Sequence, residues 1–138
     1  MGVDAIIEGV DLVSIGNPPK LPQNHDNATY ESWCRNADAE VDWSKSVQEV
    51  YNLIRGTNPQ PGAWTTFDGN ELKIFDSRIV DASGVPGEVV SVSNDGFVVA
   101  ADGGGILIQR VRPQNSGKIS ASEFIDNSGI TAGVCLSQ

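Results

Sequence analysis

Ala63-Trp64-Thr65-Thr66-Phe67-Asp68-Gly69-Asn70-Glu71-Leu72-Lys73-Ile74-Phe75 reads as one strand, a turn and a second strand. Apolar, aromatic and β-branched residues flank an Asp-Gly pair suited to the positive φ of a tight hairpin. Working outward toward the C-terminus, the same pattern repeats. Leu72 to Val80 makes a long run, a loop with Gly84 and Pro86 leads into Gly87 to Val92, and Asn94-Asp95-Gly96 turns into Phe97 to Ala101. Asp102-Gly103-Gly104-Gly105 turns once more into Ile106 to Val111, a run that ends at Pro113. Five short strands separated by turns predict a small barrel, with Trp64, Phe67, Phe75 and Phe97 assigned to its core.

Helices flank this β region. Ser46 and Glu49 have capping-box spacing, and Val47, Val50, Tyr51 and Ile54 follow on one helical face. Gly56 is expected to be a left-handed C-terminal cap, and Pro59 and Pro61 forbid continuation. A last helix is expected around Glu123-Phe124-Ile125, opened by Ser120 or Ser122 and stopped between Asn127 and Gly129, whereas Ile130 to Gln138 carries no pattern. At the N-terminus Val3, Ile6, Ile7, Val10 and Val13 form one stripe of a short amphipathic helix, stopped by Gly16-Asn17-Pro18-Pro19. Lys20 to Asn36, rich in Pro, Asn and polar residues, is expected to be an extended linker pinned by Leu21, Tyr30 and Trp33.

Composition narrows the function classes. The 138 residues carry 9 Lys+Arg against 18 Asp+Glu, a net charge of −9, far from the basic footprint of a duplex-binding domain. Apolar runs are too short for a membrane span, and the acidic N-terminus, with no basic residue before Lys20, is unlike a signal peptide. A cytoplasmic location is therefore expected. Cys34 and Cys135 make no disulfide framework and are read as free thiols.

Asn24-His25-Asp26 holds the residue types of a proton-transfer site and the only histidine. Three consecutive residues of an extended segment cannot readily converge on one atom, so a solvated linker is the expectation. Gly103-Gly104-Gly105 precedes a strand rather than a helix, which points to a hairpin turn and not to a phosphate loop. One His and two separated Cys predict no metal site, and no Gly-x-Ser-x-Gly nucleophile elbow is present. Arg110 and Arg112 alternate along the fifth run and are expected to form a local positive face with Lys73 or Arg78.

A longer pattern runs through Asp42-Trp43-Ser44, Tyr51-Asn52-Leu53-Ile54-Arg55-Gly56 and Thr57-Asn58-Pro59-Gln60-Pro61-Gly62-Ala63-Trp64-Thr65. It resembles the C-terminal domain of the 10-formyltetrahydrofolate-dependent formyltransferases, which include methionyl-tRNA formyltransferase and the hydrolase region of 10-formyltetrahydrofolate dehydrogenase. Gly16-Asn17-Pro18-Pro19-Lys20-Leu21-Pro22-Gln23 and Ala28-Thr29-Tyr30-Glu31 resemble the family's interdomain linker; Leu72-Lys73-Ile74, Pro86-Gly87 and Ser120-Ala121-Ser122-Glu123-Phe124 match downstream in order.

The resemblance implies a mainly β fold with flanking helices: a small open five-stranded OB-like barrel preceded by an extended linker and an N-terminal helix. Residues 1–15 would be the last helix of a missing Rossmann-like catalytic domain, 16–40 the linker, and 41–138 the C-terminal domain. Folate binding and the family's catalytic Asn, His and Asp belong to the missing domain. No catalytic, cofactor-binding or metal-binding residue is therefore expected in this chain, and 10-formyltetrahydrofolate would serve the parent enzyme alone. The piece would be noncatalytic and would shape access of the acceptor. In the tRNA-dependent members the linker and barrel present Lys and Arg to the acceptor arm. Here the linker carries only Lys20, and the net charge of −9 shifts weight toward water or a small molecule such as an amino sugar. Lys20, Arg55, Arg110 and Arg112 are the candidate acceptor or interdomain contacts. The alternative is a stand-alone OB-like module that binds nucleic acid or a protein.

Overall fold

A computed structural model describes residues 2–16 and 18–137, as two units that divide between Ser32 and Trp33. In the first unit, α1 (Gly2–Ser14) forms where the apolar stripe required it, with Asp4 in its first turn. No α1 residue is buried: Val3, Ile6, Ile7, Val10 and Val13 are 56–70% exposed. Within residues 18–32 the one regular element is a 3-10 turn, His25–Asn27, where Asn24 accepts a hydrogen bond from the Asp26 amide. Leu21 and Tyr30 are 86% and 96% exposed and Trp33, which opens the second unit, 91%. All three side chains are exposed, whereas their size led to an expectation of burial.

The second unit begins with a short 3-10 helix, Asn36–Ala39, and α2 (Val47–Thr57). Ser46 caps α2 and the Glu49 carboxylate reaches back to the Ser46 amide. Val50 and Ile54, one turn apart, are buried against the sheet. The expected cap at Gly56 is not what ends the helix. It continues to Thr57, and Asn58 leaves it in an extended conformation at φ −81°, the geometry favoured before a proline.

The sheet contains β1 (Ala63–Phe67), β2 (Asn70–Val80), β3 (Val89–Ser93), β4 (Gly96–Ala101), β5 (Gly104–Pro113) and a two-residue β6 (Ile119–Ser120). All pairs are antiparallel, in the order β1-β2-β5-β4-β3, with β6 beside β5. The five expected strands are present, and β6 is an addition. Gly103, at φ +79°, makes the tight β4–β5 turn that the glycine run suggested. The sheet is open and wraps α2 and α3 (Ala121–Ser128) around a core that includes Ile74, Phe97, Val99, Ile106, Ile108, Val111 and Phe124. Phe124 meets Phe67 edge-on at 5.6 Å. Ser120, not Ser122, caps α3, and Gly129 ends it in the left-handed region. Of the four aromatics assigned to the core, Phe75 and Phe97 are buried while Trp64 and Phe67 are half-buried.

Candidate functional site: a basic cleft beside the proline turn

On β2, Leu72 and Ile74 face the core, so Lys73 and Phe75 point to the other side. Lys73 lies opposite Arg112 on β5. Arg110, two residues along β5, shares the side of Arg112. The turn after β5 returns Lys118 over the Phe75 ring, its ammonium 3.6 Å from the centroid. Together Lys73, Arg112 and Lys118 line a cleft of about 730 Å³, walled by Trp33, Cys34 and the Pro59-Gln60-Pro61 turn.

Lys73 holds this cleft together. It is only 9% exposed, and its ammonium donates to Asn36 Oδ1 at 3.0 Å and to the Pro61 carbonyl at 2.9 Å. Glu71 stands 3.7 Å from the same ammonium. Asn36 in turn accepts the Trp64 indole N–H on its carbonyl at 2.7 Å and donates to Glu71 at 3.2 Å. One buried cation therefore joins the start of the second unit to the proline turn and to β2. Arg110 Nε lies 3.6 Å from Asp76 Oδ2, both side chains more than half exposed, so that pair is weakly coupled. Arg112 is half-buried on the cleft wall and forms no ion pair among the described residues, which leaves it and Lys118 to offer charge to a ligand.

The other two candidates lie elsewhere. Arg55 is exposed on α2, with its guanidinium 5.2 Å from the Tyr51 ring and its Nη2 3.5 Å from Asn52 Oδ1. Lys20 is exposed in the first unit. Arg78 faces Leu107 in the register, farther along β2, and does not line the cleft. Sequence reading did not single out Lys118. Its place depends on the turn after Pro113, a non-local feature with no periodic signal.

Charge is segregated across the second unit. Asp38, Glu40, Asp42 and Glu49 line a separate groove of about 320 Å³ with Lys45. The Ser44 hydroxyl donates to Asp42 at 2.6 Å, with help from the Ser44 amide, and holds that carboxyl below its usual range. The Ser46 hydroxyl and amide do the same for Glu49. These carboxylates are committed to turn and cap, and no three metal-ligating side chains converge among the described residues. His25 sits in an exposed turn of the first unit, between its chain neighbours Asn24 and Asp26.

The second unit is thus an open, OB-like antiparallel sheet with a cationic cleft on one face. Residues 34–129 match the family described as formyl transferase, C-terminal domain, and the chain belongs to that family. Among its relatives, the methionyl-tRNA formyltransferase of Symbiobacterium thermophilum is 34% identical over 141 residues, covering 99% of this chain and 43% of the relative. The enzyme of the same name from Moorella thermoacetica is 33% identical, with 99% and 44% covered. The chain thus spans less than half the length of the curated relatives it matches. The fold is shared with HypX from Aquifex aeolicus, solved in complex with tetrahydrofolic acid: TM-score 0.67, 20% identity, 89% of this chain and 22% of that one. No helix among the described residues is long and apolar enough to cross a membrane.

Proposed function

We propose that this chain is the noncatalytic C-terminal part of a formyltransferase-family enzyme, and that its cleft holds the phosphate backbone of a tRNA acceptor while a preceding domain transfers the formyl group. The observation that carries this reading is the gathering of Lys73, Arg110, Arg112 and Lys118, four of the nine Lys and Arg residues, on one side of the sheet. A net charge of −9 repels a polyanion at long range, but screening over about 8–10 Å lets a segregated patch act locally. The names of the relatives add weight to tRNA over water or an amino sugar. The missing partner is a Rossmann-like catalytic domain that binds 10-formyltetrahydrofolate and covers the exposed stripe of α1. That stripe argues against the alternative of a stand-alone module, because a self-sufficient domain rarely leaves so contiguous an apolar face in water.

Titrating the chain with tRNA over a range of salt tests the cleft. Arg112→Ala is expected to weaken binding and to lower the slope of log K against log salt by about 0.9, one phosphate's worth. An unchanged slope, with binding intact, rejects the cleft as the contact surface.

A further inference from the structure

The open sheet leaves two unpaired edges, the outer side of β3 and that of β1, and such edges are normally covered. Residues 130–137, for which the sequence has no pattern and which lie beyond the family match, bond to the start of β3 and to Thr66 of β1. The Gly133 amide donates to the Val89 carbonyl at 2.8 Å, the Val89 amide to Val134 at 2.8 Å, and the Leu136 amide to Gly87 at 2.9 Å. Glu88 and Cys135 form an antiparallel bridge between them. The chain then crosses the gap: the Ser137 amide donates to the Thr66 carbonyl of β1 at 2.8 Å. Its hydroxyl lies 2.7 Å from Thr65 Oγ1, which also accepts the buried Trp43 indole N–H at 3.1 Å. Val41 covers the adjacent Trp64 carbonyl of β1 at 2.8 Å. The strap is therefore the piece that joins the first and last strands of the sheet.

Two of its side chains, Ile130 and Leu136, are fully inserted, at 2% and 3% exposure, and Val134 packs half-buried against the core. A cleft of about 560 Å³ runs along the strap between Cys135, Leu136, Ser137 and the wall formed by Trp43, Val85 and Pro86. The strap leaves α3 through Gly129 at φ +67° and turns again at Gly133 at φ +93°. β5, by contrast, is paired on both sides and buries Ile106, Ile108 and Val111 completely.

The geometry points to residues 130–137 as a detachable strap that opens as a unit, uncovering the β3 edge and the Trp43 side of the barrel while the five-stranded sheet stays folded. Opening breaks the bonds at Gly133, Val89, Leu136 and Ser137 together. It leaves the Ala100 amide on Glu88 and the β4–β5 ladder in place.

Hydrogen exchange on the full chain tests this. The amides of Val89, Gly133, Leu136 and Ser137 are expected to exchange as one group, at least about tenfold faster than those of Ile106 and Ile108. The Val89 result is diagnostic, because that residue belongs to a sheet strand yet should follow the strap. Ile108→Val destabilises the sheet core, so it should speed exchange in β5 and leave the strap group unmoved. Leu136→Ala weakens the closed state itself and should speed both groups. Equal protection of strap and β5 in the unaltered chain, or an Ile108→Val change that speeds both groups alike, overturns the proposal.

Discussion

Lys73→Met removes the ammonium that joins Asn36 to the proline turn and keeps most of the aliphatic stem. Two hydrogen bonds are lost, to Asn36 Oδ1 at 3.0 Å and to the Pro61 carbonyl at 2.9 Å. Bonds from a charged donor contribute about 1.5–3 kcal/mol each. The Glu71 pair adds little, at 3.7 Å and with a carboxylate side chain 34% exposed. Offsetting the loss, the methionine no longer has to desolvate a charge at a site 9% exposed. The net expected destabilisation is about 2–3 kcal/mol, a large share of the roughly 5–15 kcal/mol that holds a typical domain. Urea unfolding followed by tryptophan fluorescence reads it as a lower midpoint at constant m, with Tm down by about 10 °C. Arg112→Ala, which breaks no ion pair among the described residues, should stay within about 0.5 kcal/mol of the parent. A Lys73→Met chain equally unperturbed would refute the view that this lysine is the clasp of the cleft.

Gly96→Ala is expected to cost more than about 3 kcal/mol. Gly96 sits at φ +135° and its added Cβ would collide with the Ile108 carbonyl; a variant that unfolds at the parent's urea concentration contradicts this. Acid should loosen the chain in a defined window. Glu49 and Asp42 titrate below their ordinary values of 4.5 and 3.8, so the folded chain binds these protons less readily than the unfolded one. Their stabilisation is complete above those values and fades as pH falls through the lowered folded ones. Ser46→Ala deletes the hydroxyl bond to Glu49, and denaturation midpoints measured below about pH 4.5 should then depend less on pH; an unaltered profile removes that cause.

Local chemistry was readable wherever a short-range rule decides the outcome. The Ser46 and Glu49 box, the Asp68-Gly69 hairpin and the glycine turn at 103 follow from cap and turn geometry alone, and each stands where that geometry put it. Gly56 failed as a cap because the proline two residues after Thr57 sets the helix end, and a helix tolerates a glycine that its packing keeps. Ile130 to Ser137 was opaque because tertiary edge pairing, not its own periodicity, orders it. Tyr30 and Trp33 are exposed although large and aromatic, because side-chain size alone does not say what packs on a residue. The cleft was half legible. Alternation along β5 related Arg110 to Arg112, but the register that sets Lys73 across from Arg112, and the turn that brings in Lys118, are properties of the assembled sheet.

The sharpest measurement is a search for folate chemistry in the chain by itself. Incubated with 10-formyltetrahydrofolate, the 138 residues should neither bind nor deformylate it, and formyl transfer should appear only when a catalytic half from a relative is fused ahead of α1. Turnover by the unfused chain would contradict the account at its centre.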